Sequence, residues 1–183
     1  MKNAIICHGS GSSPESFWFP NIKVFLEDKG YQVWVPQLPD ADQPDLRKWL
    51  HFVLNNGEFN SETIMIGHSS GCPLILSILE KSNTIIDKIV LVSGYARVRG
   101  GQQEREAILQ IKYDWNKIKN MVRSIVFINS NDDPWGCNHE EGLYMWNNLG
   151  GTLVLRTGEG HMGSDHFKQP YKDFPLLKKI LEI

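Results

Sequence analysis

Cysteine is scarce in this chain and badly spaced for a scaffold: Cys7, Cys72 and Cys137 are odd in number, and no two of them form a Cys-x-x-Cys pair. That excludes a disulfide framework and a cysteine zinc site, and it makes a reducing cytoplasm the expected location. Long apolar runs are also missing. The run after Met1 spans only Ala4 to Cys7, too short for a signal-peptide core, and no uncharged stretch is long enough to span a bilayer. Neither sign of charge dominates: 19 Lys and Arg against 21 Asp and Glu leave a net charge of -2. Neither nucleic acid nor a membrane is therefore expected as a partner. The remaining composition, 41% apolar and 22% charged over 183 residues, suits one globular domain and is too short for two of ordinary size.

Against this background stand short apolar runs at Asn3 to Cys7, Gln32 to Val35, Thr63 to Ile66, Lys88 to Val92, Ser124 to Ile128 and Thr152 to Leu155. They are continuous rather than alternating, as strands buried on both faces are, and such strands belong to parallel sheets covered by helices. Amphipathic segments lie between them: Phe17 to Lys29, Pro44 to Asn56, Gly71 to Lys81, Tyr113 to Met121, His139 to Leu149 and Tyr171 to Leu181. Gly30, Gly57 and Gly150 follow three of these segments, where a left-handed glycine stop is expected. The pattern predicts an α/β fold of six βα units, an open doubly wound sheet with its ligands at the carboxyl ends of the strands. One segment, Ala96 to Lys112, breaks the alternation with polar and glycine residues around a brief apolar cluster at Ile108, Leu109 and Ile111. It reads equally as a small cap over the strand ends or as a solvated loop.

The stretch Thr63-Ile64-Met65-Ile66-Gly67-His68-Ser69-Ser70-Gly71 organises the rest. An apolar strand breaks into Gly-x-Ser-x-Gly and then into helical periodicity at Cys72, Leu74, Ile75, Ile78 and Leu79. A serine hydroxyl is a poor nucleophile unless it is presented beside a base and oxyanion donors, and a sharp strand-to-helix turn presents it so. Glycines at 67 and 71 let the backbone crowd together at that turn. Ser69 is the candidate nucleophile.

A base and a group to orient it are expected after later strands on the same edge of the sheet. The fifth strand runs into Asn131-Asp132-Asp133-Pro134 and the sixth into Gly158-Glu159-Gly160-His161, which gives the chain order Ser, Asp, His. His161 is the candidate base, with His166 as the alternative. Either Asp132 or Asp133 could orient it. The rigid Asp133-Pro134 corner favours the second, and Asp132 suits a turn residue bonding its own backbone. His161, His166 and Asp165 make a poor metal site. The first strand ends in His8-Gly9-Ser10-Gly11-Ser12-Ser13, whose backbone can face the nucleophile, so Ser10 and Ser70 are the candidate N–H donors to an oxyanion. A phosphate loop is the rival reading of that stretch, but no Lys-Ser/Thr follows it. Cys7 reads as a small buried apolar residue rather than a thiol nucleophile.

The His-Gly loop, Gly-His-Ser-Ser-Gly, Val-Ser-Gly-Tyr after the fourth strand, Asp-Asp-Pro after the fifth and Gly-His after the sixth together resemble the small α/β-hydrolases of the retinoblastoma-binding protein 9 type. The resemblance covers nearly the whole chain. It implies a compact α/β-hydrolase fold with a minimal cap, a Ser69, Asp133, His161 triad, and carboxylesterase-like activity on small acyl esters without a cofactor. Two departures bear on the pocket: Trp135-Gly136-Cys137 replaces the usual apolar pair and proline, and Met162 replaces an aromatic. The Leu-x-Cys-x-Glu motif of retinoblastoma binding has no match, since Leu54-Asn55-Asn56-Gly57-Glu58 lacks the cysteine.

Thioester or amide cleavage would use the same machinery, and a binding protein on a hydrolase fold is the rival from another class. With no room for a large cap, Trp18, Tyr95 and Trp135 are the expected aromatic walls of the acyl pocket, against ordinary packing under the loops.

Overall fold

The computed structural model describes residues 1–99 and 105–182. Six strands, β1 (Asn3–Cys7), β2 (Gln32–Trp34), β3 (Ile64–His68), β4 (Ile86–Val92), β5 (Val122–Ser130) and β6 (Thr152–Arg156), pair in the order β2-β1-β3-β4-β5-β6. Every pairing is parallel. The expected six-stranded α/β sheet is present.

The continuous apolar runs follow from burial on both faces. Along β1, Ile5 and Cys7 point into one cluster with Met65, Leu91 and Phe127, while Ala4 and Ile6 point into the other with Ile66, Val92 and Ile128. Helices α1 (Phe19–Glu27) and α6 (Pro175–Glu182) cover the second face through Ile22, Leu26, Leu177 and Leu181. Helices α2 (Leu46–Asn56), α3 (Gly71–Lys81), α4 (Trp115–Asn120) and α5 (His139–Leu149) cover the first through Trp49, Leu74, Ile118 and Met145. The chain switches direction across the sheet between β1 and β3, so the loops after those two strands flank the crevice where open α/β sheets bind ligands.

Several boundaries differ from the sequence pattern for local reasons. Asp45 starts α2 later than Pro44 because its carboxylate accepts from the N–H groups of Arg47 and Lys48. The last helix begins at Pro175, whose fixed φ suits a first turn, rather than at Tyr171. Gly30 and Gly150 are left-handed stops, but Gly57 is extended, with φ -86° and ψ 146°, and does not act as one. Strand β5 is longer than expected at both ends and carries the chain to Ser130.

In the segment from Ala96 to Lys112, residues 100–104 lie outside the described residues. The described remainder is anchored: Ile108 and Leu109 are buried, the Ala107 carbonyl accepts from Leu46 N–H, and Ile111 is exposed. No described helix is long and apolar enough to cross a membrane.

Candidate active site

Ser69 follows β3 directly with φ +52°, the left-handed conformation that few side chains adopt, and α3 starts two residues later. The turn is held by Ser69 N–H to Val92 O at 3.0 Å and by Cys72 N–H to Ser69 O at 2.9 Å. Glycine at 71 is obligatory, because a Cβ there would lie 2.2 Å from the Cys7 carbonyl oxygen. The loop after β1 presses on the same corner: a Cβ on Gly9 would sit 2.8 Å from Ser69 Cβ. Ser69 is partly exposed on the floor of a cleft of about 450 Å³, which Ser10, Ser70, Tyr95, Trp135 and His161 also line.

Of the two acids, the structure brings Asp133 to the imidazole. Its Oδ2 accepts from His161 Nδ1 at 2.7 Å, with both side chains buried, and its Oδ1 accepts from Trp135 N–H at 2.8 Å. This fixes Nδ1 as the protonated nitrogen and leaves Nε2 as the basic one. Asp132 instead binds the neighbouring loop: its Oδ1 accepts from Ser130 Oγ at 2.6 Å and from Gly160 N–H at 3.0 Å. Those bonds, the serine hydroxyl first, hold the Asp132 carboxyl below its usual range. His166 packs against Trp135 in a tilted contact and against Phe167 edge to face at the cleft rim, with centroids 5.2 and 4.7 Å away.

The Trp18 expectation requires correction. Its ring is fully buried beneath the site against Phe19 and Phe174, and Nε1 donates to the Met162 carbonyl at 2.9 Å. The reason is local: Phe17 has φ +49°, which turns Phe17 rather than Trp18 toward the cleft. Tyr95 does line the cleft but is almost fully buried, its hydroxyl donating to Glu106 and lying 3.1 Å from Ser70 Oγ. Burial first, then the Glu106 charge, keep this phenol protonated well above its usual range. Trp135 is 44% exposed at the rim.

The loop carrying His161 is fastened by residues that the sequence did not single out for this task. His68, the second residue of the Gly-x-Ser-x-Gly stretch, donates from Nε2 to the His161 carbonyl at 2.9 Å, and Ser93 Oγ donates to the same oxygen at 2.9 Å. Gln169 Oε1 accepts from His161 N–H at 2.9 Å. His68 is packed among the rings of Phe17, Trp18 and Phe19, and its buried Nδ1 has no hydrogen-bond partner among the described residues. Burial, then the neighbouring His161, push its pKa down to about 3. On the other side His8 ties the β1 loop down: Nε2 accepts from Leu38 N–H at 3.1 Å and Nδ1 donates to Gly9 O at 2.8 Å. Burial lowers the His8 pKa as well.

Asp133, Cys137 and His161 place donor atoms within 4.8 Å of one another, a grouping that could hold a metal. Two of the three are already bonded to each other, and burial raises the Cys137 thiol far above the range in which it ligates as thiolate, so the arrangement fits a hydrogen-bonded pair better. Burial also pushes the Cys7 thiol up to about 12, which removes it as a competing nucleophile.

Residues 4–182 match the serine hydrolase family. The chain belongs to that family. It is 33% identical over 135 residues to the putative hydrolase YdeN of Bacillus subtilis, covering 72% of this chain and 71% of that protein. To serine hydrolase RBBP9 of Rattus norvegicus it is 27% identical over 164 residues, 88% of this chain and 87% of the relative. The crystal structure of the B. subtilis ydeN gene product superposes with a TM-score of 0.89 at 27% identity, covering 100% of this chain and 97% of the other. The fold is thus the compact α/β-hydrolase fold that the motifs implied.

Neutral, buried histidines make this site sensitive to acid. His68 and His8 have folded pKa values below the unfolded value near 6.5, so the unfolded chain binds more protons and stability falls as pH drops below about 6.5. The urea midpoint should therefore fall between pH 6.5 and pH 5, above the range of the depressed carboxylates. His68→Gln, which keeps a donor for the His161 carbonyl but cannot titrate, should flatten that fall; an unchanged slope would contradict the assignment.

Proposed function

We propose that this serine hydrolase cleaves small carboxylic esters, with Ser69 as nucleophile, His161 as general acid and base, and Asp133 orienting His161. The observation that carries the reading is the buried bond of 2.7 Å between Asp133 and His161, in a cleft whose floor carries Ser69 in a strained left-handed turn. In this scheme His161 Nε2 takes the Ser69 proton as Oγ attacks the acyl carbon, and Asp133 stabilises the resulting imidazolium. The N–H groups of Ser10 and Ser70 stabilise the oxyanion. The imidazolium then protonates the leaving alcohol, and water, activated by the same imidazole, releases the acid and restores Ser69. Each step uses the chain's own side chains and backbone. Thioesters and amides are accessible to the same machinery, and leaving-group preference among the three is read directly by comparing matched substrates.

The triad assignment predicts an asymmetry. Ser69→Ala should lower turnover of an activated ester by roughly 10⁴ to 10⁶, and Asp133→Asn by about 10⁴ through the wrong imidazole tautomer. Asp132→Asn, which loosens the loop without touching the ring, should cost far less. Steady-state kinetics of the three folded variants checks this, and equal losses for the two asparagine variants would refute the choice of acid.

The cleft of about 450 Å³ is edged by Trp135, Phe17 and Tyr95, and these rings would narrow the acyl subsite next to Ser69. Each added methylene gains about 0.8 kcal/mol only while there is apolar surface to cover it. Specificity should peak at acetyl to butyryl esters, and Trp135→Ala should shift the optimum to longer ones. A wild-type optimum at decanoyl or beyond would show the cleft to be open instead.

A further inference from the structure

A chain of hydrogen bonds runs from the mouth of the cleft to a carboxylate that the proposed chemistry does not use. Ser10 Oγ lies 2.8 Å from Ser70 Oγ, and Ser70 Oγ lies 3.1 Å from the Tyr95 hydroxyl. The Tyr95 hydroxyl donates to Glu106 Oε2, and Arg99 donates to Glu106 Oε1 while its guanidinium covers the Tyr95 ring at 4.0 Å. Each hydroxyl has one proton, and an ionised carboxylate can only accept. The direction of every link is therefore fixed from the Glu106 end. Tyr95 spends its proton on Glu106, so towards Ser70 it can only accept. Ser70 must then donate to Tyr95, so towards Ser10 it can only accept, and Ser10 donates to Ser70. Ser10 is exposed on the cleft wall, on the loop whose Gly9 packs against Ser69. With its proton directed inward, its oxygen offers the cleft lone pairs alone.

We infer that Ser10 Oγ is a hydrogen-bond acceptor for the substrate, and that the preferred acyl group carries a hydroxyl on the second or third carbon, close to the scissile carbonyl. This specificity deepens the esterase reading and rests on it. A plain acyl chain leaves the Ser10 lone pairs to water, whereas a hydroxyacyl chain donates to them. One net hydrogen bond of this kind is worth about a 3- to 10-fold preference. Tyr95 and Glu106 act through Ser10 and are positioning residues, because they set the direction of its proton without needing to touch the acyl chain.

The test uses matched p-nitrophenyl esters of butyrate, 2-hydroxybutyrate and 3-hydroxybutyrate. For each enzyme, the ratio of kcat/KM for a hydroxy ester over the plain ester is divided by the same ratio for hydroxide-catalysed hydrolysis. Using a ratio cancels any general loss of activity or folded fraction in a variant. Wild type should give about 3 to 10 with at least one hydroxy ester, Ser10→Ala about 1, and Tyr95→Phe, which frees Ser10 to turn its proton into the cleft, a value between them. A wild-type ratio of 1 with both hydroxy esters, or a ratio that survives in Ser10→Ala or in Tyr95→Phe, overturns the inference. Fluorophosphonate labelling of the wild type separates the two layers. Labelling at Ser69 with a flat ratio sinks only this specificity, whereas absence of labelling sinks the hydrolase chemistry beneath it.

Discussion

The left-handed backbone at Ser69 is the constraint on which the site depends. A non-glycine residue held at φ +52° costs on the order of 1–3 kcal/mol and persists only where its surroundings over-determine it. Here β3 delivers the chain, the Val92 carbonyl holds the Ser69 N–H, α3 begins at once, and Gly71 permits the Cys7 backbone to come within a distance no Cβ would tolerate. Burial of β3 on both faces keeps the turn from relaxing, since any shift of the strand would disturb both core clusters together. The strained turn and the sheet are thus one mechanical unit.

The same strand also governs the partner group. His68 is the last residue of β3, and its ring reaches across to the His161 carbonyl, so the elbow and the loop bearing the proposed base share a direct bond. Ser93, the residue just after β4 and itself left-handed at φ +47°, adds a second bond to that oxygen, and Trp18 holds the next carbonyl along. A loop in this position would ordinarily be the mobile part of a site. Four side chains, His68, Ser93, Gln169 and Trp18, instead fix its backbone, and Asp133 fixes the ring. Preorganisation of this kind would lower the cost of bringing the proposed base into line at the moment of reaction.

Much of this was legible in the sequence because it is local. Continuous apolar runs announce strands buried on both sides, and Gly-x-Ser-x-Gly after such a run announces the turn at Ser69. The Asp133-Pro134 corner and the Gly160-His161 step each lie within a few residues of a strand end, so their edge of the sheet could be assigned from spacing alone. What escaped was non-local. Nothing in Gly-His-Ser-Ser-Gly says that the histidine will bond a carbonyl 93 residues away, nor does any spacing connect Gln169 with the His161 backbone. Trp18 lies buried beneath the site and its neighbour Phe17 lines the cleft instead, with Phe17 in a left-handed conformation at φ +49° that its residue type does not announce. Tyr95 lines the cleft and bonds Glu106, on a segment whose brief apolar cluster among polar residues left a cap and a solvated loop equally open.

In the proposed scheme hydrolysis passes through an acyl group carried by Ser69. Mixing the enzyme with a slowly deacylated activated ester, quenching in acid within the first turnover and mapping the digest by mass spectrometry tests it directly. The expected result is a burst of alcohol equal to the enzyme concentration, with the acyl mass on the peptide containing Ser69. A burst with the acyl group on another residue, or steady turnover with no covalent adduct at any quench time, would contradict it.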